Sequence, residues 1–140
     1  MKIKEIMSKD VKFIGPNSTL QEAAKIMGEM DIGILPIGEN DRLIGMLTDR
    51  DIVIRTLANG KDIKTTTVKE IMTPKCLYCR EEDTVEDVSK NMAQSKVRRM
   101  PVLNSNKRLV GIISLGDLSC KGSKEAAGEA LQAISSRRKI

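Results

Sequence analysis

The chain contains no histidine and no tryptophan, and its only aromatic residues are Phe13 and Tyr78. Without histidine there is no Ser–His or Cys–His pairing to activate a nucleophile. No two acids stand clearly placed for acid–base work, because Asp49 and Asp51 fall on different sides of a helix. These gaps point away from an enzyme. Aromatic scarcity also removes the stacking platform that single-stranded nucleic acids use. The core therefore has to come from Ile, Leu, Val, Met and Ala. No apolar run is long enough to cross a bilayer, and no signal peptide is recognisable. Three cysteines, an odd number without a secretory signal, lead us to expect a reducing, cytoplasmic setting.

What is present is globular in balance, with 40% apolar and 31% charged residues over 140 positions. The net charge is +5, and residues 120–140 hold +3 of it, five basic residues against two acids. A basic end of this kind is usually a solvated helix terminus. Nucleic-acid binding through Arg137, Arg138 and Lys139 stays a minor alternative.

The dominant feature is duplication. Ile3-Lys4-Glu5-Ile6-Met7-Ser8 returns as Val68-Lys69-Glu70-Ile71-Met72-Thr73, a shift of 65, which also carries Phe13 onto Tyr78 and Pro36 onto Pro101. After one inserted residue the shift is 66, and Gly45 and Asp51 fall on Gly111 and Asp117. Two tandem units account for most of the chain. We divide it into a first repeat (1–60), a linker (61–67), a second repeat (68–121), and a C-terminal helix with a basic tail (122–140).

Each copy reads as a short helical turn (3–7, 68–72), a brief extended piece (11–14, 76–79) and an amphipathic helix (18–30, 83–95). A hairpin follows, and then a second helix (49–58, or near 115–120). The fold expected is α+β, two β-α-β-β-α units pairing their sheets with helices outside, since about sixty residues bury little alone. The first hairpin strands contain Pro36 and Pro101. Proline cannot donate to a ladder, so these strands are expected at a sheet edge. Ser123 to Ile134 forms an extra alanine-rich helix that packs either on a partner subunit or back on the module.

Thr48-x-x-Asp51 and Ser114-x-x-Asp117 each follow an apolar, glycine-containing strand. The plain reading is a capping box, as at Thr19/Glu22 and Thr84/Asp87, where no ligand is suggested. The other reading is a binding corner. Helix-start amides and a hydroxyl suit phosphate oxygens, and a carboxylate suits the hydroxyls of a ribose. Val11, Met46, Cys76, Leu77 and Ile112 are apolar neighbours able to sandwich a flat base.

Tandem β-α-β-β-α units with glycine, two apolar residues, Ser or Thr, and Asp three residues on, after an apolar-proline strand, resemble a pair of CBS domains. The resemblance covers about residues 1–120 and is nearest to stand-alone two-repeat proteins of bacteria and archaea. It implies a non-catalytic sensor of energy state or stress that binds adenosine-containing ligands (AMP, ADP, ATP or S-adenosylmethionine) in clefts between the repeats, with no obligatory cofactor. In one cleft Asp51 would hold the ribose, Thr48 the phosphate side, and Met46, Cys76 and Leu77 the adenine. In the other, Asp117 and Ser114 take these roles, with Ile112, Val11 and Lys12 beside the base. Arg98, three residues before Pro101, and Arg50 are the phosphate-facing cations; the first copy has Gly33 in place of Arg98. The resemblance also implies a homodimer and an effector protein as partners. The alternative function is an assembly protein whose clefts stay empty.

Cys76-Leu77-Tyr78-Cys79 has metal-site spacing, but with only Cys120 to add, a closed tetrahedral zinc site would need an acid or another chain. Buried structural thiols fit better, and the flanks lack a helix start that would activate one. Met27, Met30 and Met92 sit at helical spacing and read as core filling.

Overall fold

The computed structural model describes residues 1–9, 11, 13–40, 42–74 and 77–136. In chain order the helices and strands are α1 (Leu20–Met30), β1 (Ile34–Glu39), β2 (Arg42–Thr48), α2 (Asp49–Arg55), α3 (Val68–Ile71), β3 (Cys79–Arg80), α4 (Val85–Ser95), β4 (Arg99–Leu103), β5 (Leu109–Ser114), α5 (Leu115–Lys121) and α6 (Lys124–Ser135). Single 3-10 turns occupy Ile3–Glu5 and Leu57–Asn59.

The chain condenses into two units that cut across the sequence repeats. A continuous unit spans Lys12–Cys76; a split unit joins Met1–Val11 to Leu77–Ile140. The opening segment of each repeat therefore completes the unit built mainly from the other repeat.

In the continuous unit, α1 forms because Leu20, Ala23 and Met27 line one face and are buried, while the Thr19 hydroxyl accepts the Glu22 N–H at 3.2 Å. That bond runs one way only, so Thr19 is an N-cap without the reciprocal arm of a capping box. The helix closes on Asp31 in the left-handed region, φ 55°, and α4 closes equivalently on Lys96, φ 57°. β1 and β2 form an antiparallel hairpin whose Leu35, Ile37 and Leu47 pack with Leu20 of α1 and with Val68 and Ile71 of α3. Segment 68–73 docks through reciprocal backbone bonds between Met46 and Thr73, at 3.0 and 2.9 Å.

The split unit repeats this plan with a three-stranded sheet ordered β3-β4-β5. Its core joins Ile3, Ile6 and Met7 to Val88, Met92 and Val102. Ser8 exchanges backbone bonds with Ile112 at 2.9 and 3.0 Å, so the chain's first residues extend the sheet beyond β5.

The edge placement expected for the proline strands is corrected for one of the two: β1, with Pro36, is an edge of a two-stranded sheet, whereas β4, with Pro101, lies between β3 and β5. Pro101 faces Ile112, whose own N–H and C=O turn the other way, toward Ser8. On the opposite side β3 pairs only with Val102 and Leu103. In the continuous unit Ile14 donates to the Pro36 carbonyl and accepts from Gly38 N–H. This isolated bridge, all that forms among the described residues of the extended piece expected at 11–14, thus straddles the residue after the proline and never needs the missing donor.

The alanine-rich segment packs back on its own module. In α6, Ala127, Ala130 and Ile134 are buried, the helix lies against α4 and α5, and the Ser89 hydroxyl donates to the Ala126 carbonyl at 3.1 Å. Met27 and Met92 fill core as expected, whereas Met30 is exposed. No helix among the described residues is long and apolar enough to cross a membrane.

Candidate functional site

Both hydroxyl-x-x-aspartate corners are reciprocal capping boxes. The Thr48 hydroxyl accepts the Asp51 N–H at 3.0 Å, and Asp51 Oδ2 accepts the Thr48 N–H at 3.0 Å. Ser114 and Asp117 repeat the pair, again at 3.0 Å each way. The strand runs straight into the helix because Thr48 and Ser114 keep extended backbone, ψ 160° and 161°, while the next residue is helical. All four side chains are half-buried. One carboxylate oxygen of each aspartate is consumed by the cap, and the second is left for other work.

The two corners differ in what meets that second oxygen. Asp51 Oδ1 lies 3.7 Å from Arg55 Nη2, and Arg55 also donates to the Ile71 carbonyl at 2.8 Å and the Thr73 hydroxyl at 3.3 Å. Sequence reading missed Arg55, although its i,i+4 spacing from Asp51 is the usual signal for such a pair. Lys121 occupies the equivalent place after Asp117, and no ion pair reaches Asp117 among the described residues.

Of the residues expected beside Asp117, Val11, Arg98, Ile112 and Ser114 belong to the split unit. Ile112 ends in the same strand as Ser114, and Val11 lies three residues past the Ser8 that pairs with Ile112. The Arg98 carbonyl accepts the Leu115 N–H at 2.9 Å, which fixes Arg98 at the start of α5 with its side chain exposed. In the continuous unit Gly33 makes the same bond to Asp49 N–H, at 3.0 Å. A Cβ built on Gly33 would fall 2.9 Å from Asp49 Oδ2, so Asp49 occupies the space a side chain would need.

Of the residues expected beside Asp51, Met46 and Thr48 share β2, Arg50 is exposed on α2, and Met46 is 7% exposed. Leu77 belongs to the split unit and is exposed. Lys12, Cys76 and the basic residues 137–139 lie outside the described residues. An open groove of about 340 Å³ in the split unit, lined by Tyr78, Arg80, Asp83, Leu103, Asn104 and Lys107 among others, contains none of the expected residues.

Cys79 is buried, and burial pushes its thiol up to about 12, the behaviour of a structural cysteine. Among the described residues no group of three or more His, Cys, Asp and Glu is placed to hold a metal ion.

A doubled strand–alcohol–helix corner, set in two similar α+β units, defines a tandem two-repeat module. The family model described as CBS domain matches residues 3–56 and 68–120. The CBS domain-containing protein YhcV of Bacillus subtilis is 43% identical over 95% of this chain and 94% of its own length. Hypoxic response protein 1 of Mycobacterium tuberculosis is 41% identical over 95% of this chain and 93% of its own. A crystal structure of the hypoxic response protein with two coordinated zinc ions superposes with a TM-score of 0.78, covering 86% of this chain and 98% of that one. The CBS domain pair of protein MJ0100, solved with 5'-methylthioadenosine and S-adenosyl-L-methionine, gives a TM-score of 0.76 at 32% identity, covering 85% of this chain and 93% of that one. The chain belongs to the CBS domain family.

Proposed function

We propose that this protein is a non-catalytic regulatory module that binds an adenosine-containing ligand, a free or phosphorylated adenosine or S-adenosylmethionine, at its hydroxyl–aspartate corners. The observation that carries this reading is the second oxygen of Asp117. The capping box at the end of β5 holds the half-buried carboxylate through its other oxygen, with the Arg98 backbone fixed beside the same helix start. A carboxylate so oriented matches a pair of ribose hydroxyls, and an exposed guanidinium matches phosphate. The MJ0100 domain pair, which shares this fold, was solved with two adenosyl compounds. At the Asp51 corner Arg55 competes for the same oxygen, so that corner is the weaker of the two. Val11 and Ile112 would border the base at Asp117, and Met46 at Asp51, with Arg50 a second cation. The module works in the cytoplasm as a homodimer that passes ligand occupancy to an effector protein.

Calorimetric titration with AMP, ADP, ATP and S-adenosylmethionine tests this on the wild type and on Asp117→Ala. We expect saturable heat with at least one ligand and an affinity loss of about tenfold or more in the variant. Asp87→Ala, which alters the N-terminal turn of α4 without touching either corner, should bind as the wild type does. Binding that survives Asp117→Ala unchanged would refute the site. A wild type that binds none of the four but keeps a stable assembly supports the second reading, a scaffold whose aspartates serve only as helix caps. The caps themselves favour that reading, because they already give each aspartate a structural task.

A further inference from the structure

Phe13 and Tyr78 stand one repeat apart, but the two rings rest differently. In the continuous unit Phe13 lies on Gly38: a Cβ built on that glycine would fall 2.5 Å from Cδ1 and 2.7 Å from Cδ2 of the ring. One repeat later Gly38 becomes Leu103. The places match, since Ile14 bridges Ile37 in parallel just as Cys79 pairs with Val102. Leu103 is 5% exposed and fills the seat that the ring takes in the other copy. Tyr78 is therefore kept off the sheet, 42% exposed, and the groove of about 340 Å³ opens beside it. A hollow of that size suits a small ligand. Both of its walls are fixed. On one, the Arg80 N–H donates to Asp83 Oδ2 at 2.9 Å and the Glu81 N–H to the Leu103 carbonyl at 3.0 Å. On the other, Asn104 Oδ1 accepts the N–H groups of Asn106 and Arg108 at 2.9 and 3.0 Å.

We infer that this groove is a second binding site, for a small planar anion: an aromatic ring bearing a carboxylate or a phosphate. The charges select the anion. Each wall carries an exposed cation, Arg80 or Lys107, and neither has an ion pair among the described residues. The acids of the lining are answered elsewhere. Glu82 bonds Lys2 and Lys4; Glu82, and more weakly Glu81, favour the charged form of Lys4; Asp83 takes the Arg80 N–H. The ring of the ligand would stack on Tyr78 above Leu103, with its anion between the guanidinium and the ammonium. The inference stands apart from the adenosyl reading. The groove adjoins Leu103 at one end of β4, whereas the Ser114 corner adjoins Arg99 at the other, about 13 Å away by the rise of the strand.

The chain has one tyrosine and one phenylalanine, so 13C-labelled rings give one NMR reporter in the groove, Tyr78, and one internal reference, Phe13. Titration of the full chain with phenyl phosphate and with benzoate is the test. Saturable shifts of the Tyr78 ring are expected, with Phe13 unmoved and dissociation constants of about 0.1–10 mM for ligands so small. The tighter of the two identifies the anion. Inorganic phosphate, which has no ring, and benzyl alcohol, which has no charge, should bind about tenfold more weakly or worse. Arg80→Gln and Lys107→Asn should each weaken the tighter probe about threefold or more; asparagine suits position 107, where φ is 60°. Lys90→Gln, the same loss of charge at an exposed place on α4, should leave groove binding unchanged, and so should Asp117→Ala. A Tyr78 ring that shifts with neither probe, inorganic phosphate bound as tightly as phenyl phosphate, or undiminished affinity in either cation variant would each overturn the inference. Weakening by Lys90→Gln or Asp117→Ala equal to that of the cation variants would do the same.

Discussion

Gly111→Ala is the sharpest probe of how the split unit is held together. A Cβ built on Gly111 falls 2.6 Å from Met7 Sδ, 3.0 Å from Met7 Cγ and 2.7 Å from the Ser8 carbonyl oxygen. The methionine can swing aside, but the Ser8 carbonyl is fixed by its exchange of bonds with Ile112. The added methyl must lift the first residues of the chain off β5. That strains two backbone hydrogen bonds worth roughly 1 kcal/mol net each. It also overpacks the seat of Ile3, Ile6 and Met7, at a cost of about 1–3 kcal/mol. Taken together we expect a loss of about 2–4 kcal/mol, which for a chain of this size lowers the melting temperature by very roughly 6–15 °C. Gly28→Ala supplies the control. It lies inside α1 with nothing within 4 Å of the added Cβ, so it should gain about 0.5–1 kcal/mol. Thermal and urea unfolding of both variants read the difference. Should Gly111→Ala melt with the wild type, or gain stability as Gly28→Ala does, the docking of Ser8 on β5 does not hold the unit together as argued. A Cβ built on Gly45 would fall 2.6 Å from Met72 Sδ and 2.9 Å from the Thr73 carbonyl oxygen, so Gly45→Ala should damage the continuous unit in the same way.

Two further outcomes follow from the ionisable groups. Hydrogen bonds from Lys2 and Lys4, at 2.6 and 2.8 Å, lower the Glu82 carboxyl to about 2. A depressed carboxylate stabilises above its unfolded pKa of about 4.3, and the contribution fades as pH falls toward the folded value. Acid titration of stability in that window should be shallower for Glu82→Gln, most visibly at low salt because the pair is exposed; superimposable profiles would refute the coupling. In a Cys76→Ser background, a thiol reagent at neutral pH should modify exposed Cys120 quickly and buried Cys79 only on unfolding. Two fast thiols would contradict the burial of Cys79.

Much of this architecture is legible in local sequence. Apolar residues at helical spacing, capped by Thr19 and Thr84, mark α1 and α4, and the repeated hydroxyl–aspartate pairs mark the starts of α2 and α5. The strand of Pro101 was misplaced at an edge because a missing donor says only that one hydrogen bond cannot form. It does not say that a neighbouring strand can begin one residue later. The Thr48–Asp51 cap was legible, whereas the bonds of Arg55 to Ile71 and Thr73 join residues sixteen and eighteen positions away.

The amino-acid sequence by itself determined the duplication, the order of helices and strands, and the caps, because each depends on residues within a turn or two of one another. Only the tertiary structure decided which half of the chain each opening segment completes. Ile3-to-Ser8 and Val68-to-Thr73 are near copies, and either could supply the apolar knobs and the edge backbone that the other repeat's glycine leaves room for. Choosing between two equivalent partners is a matter of connectivity and packing across some hundred residues, and no local preference encodes it.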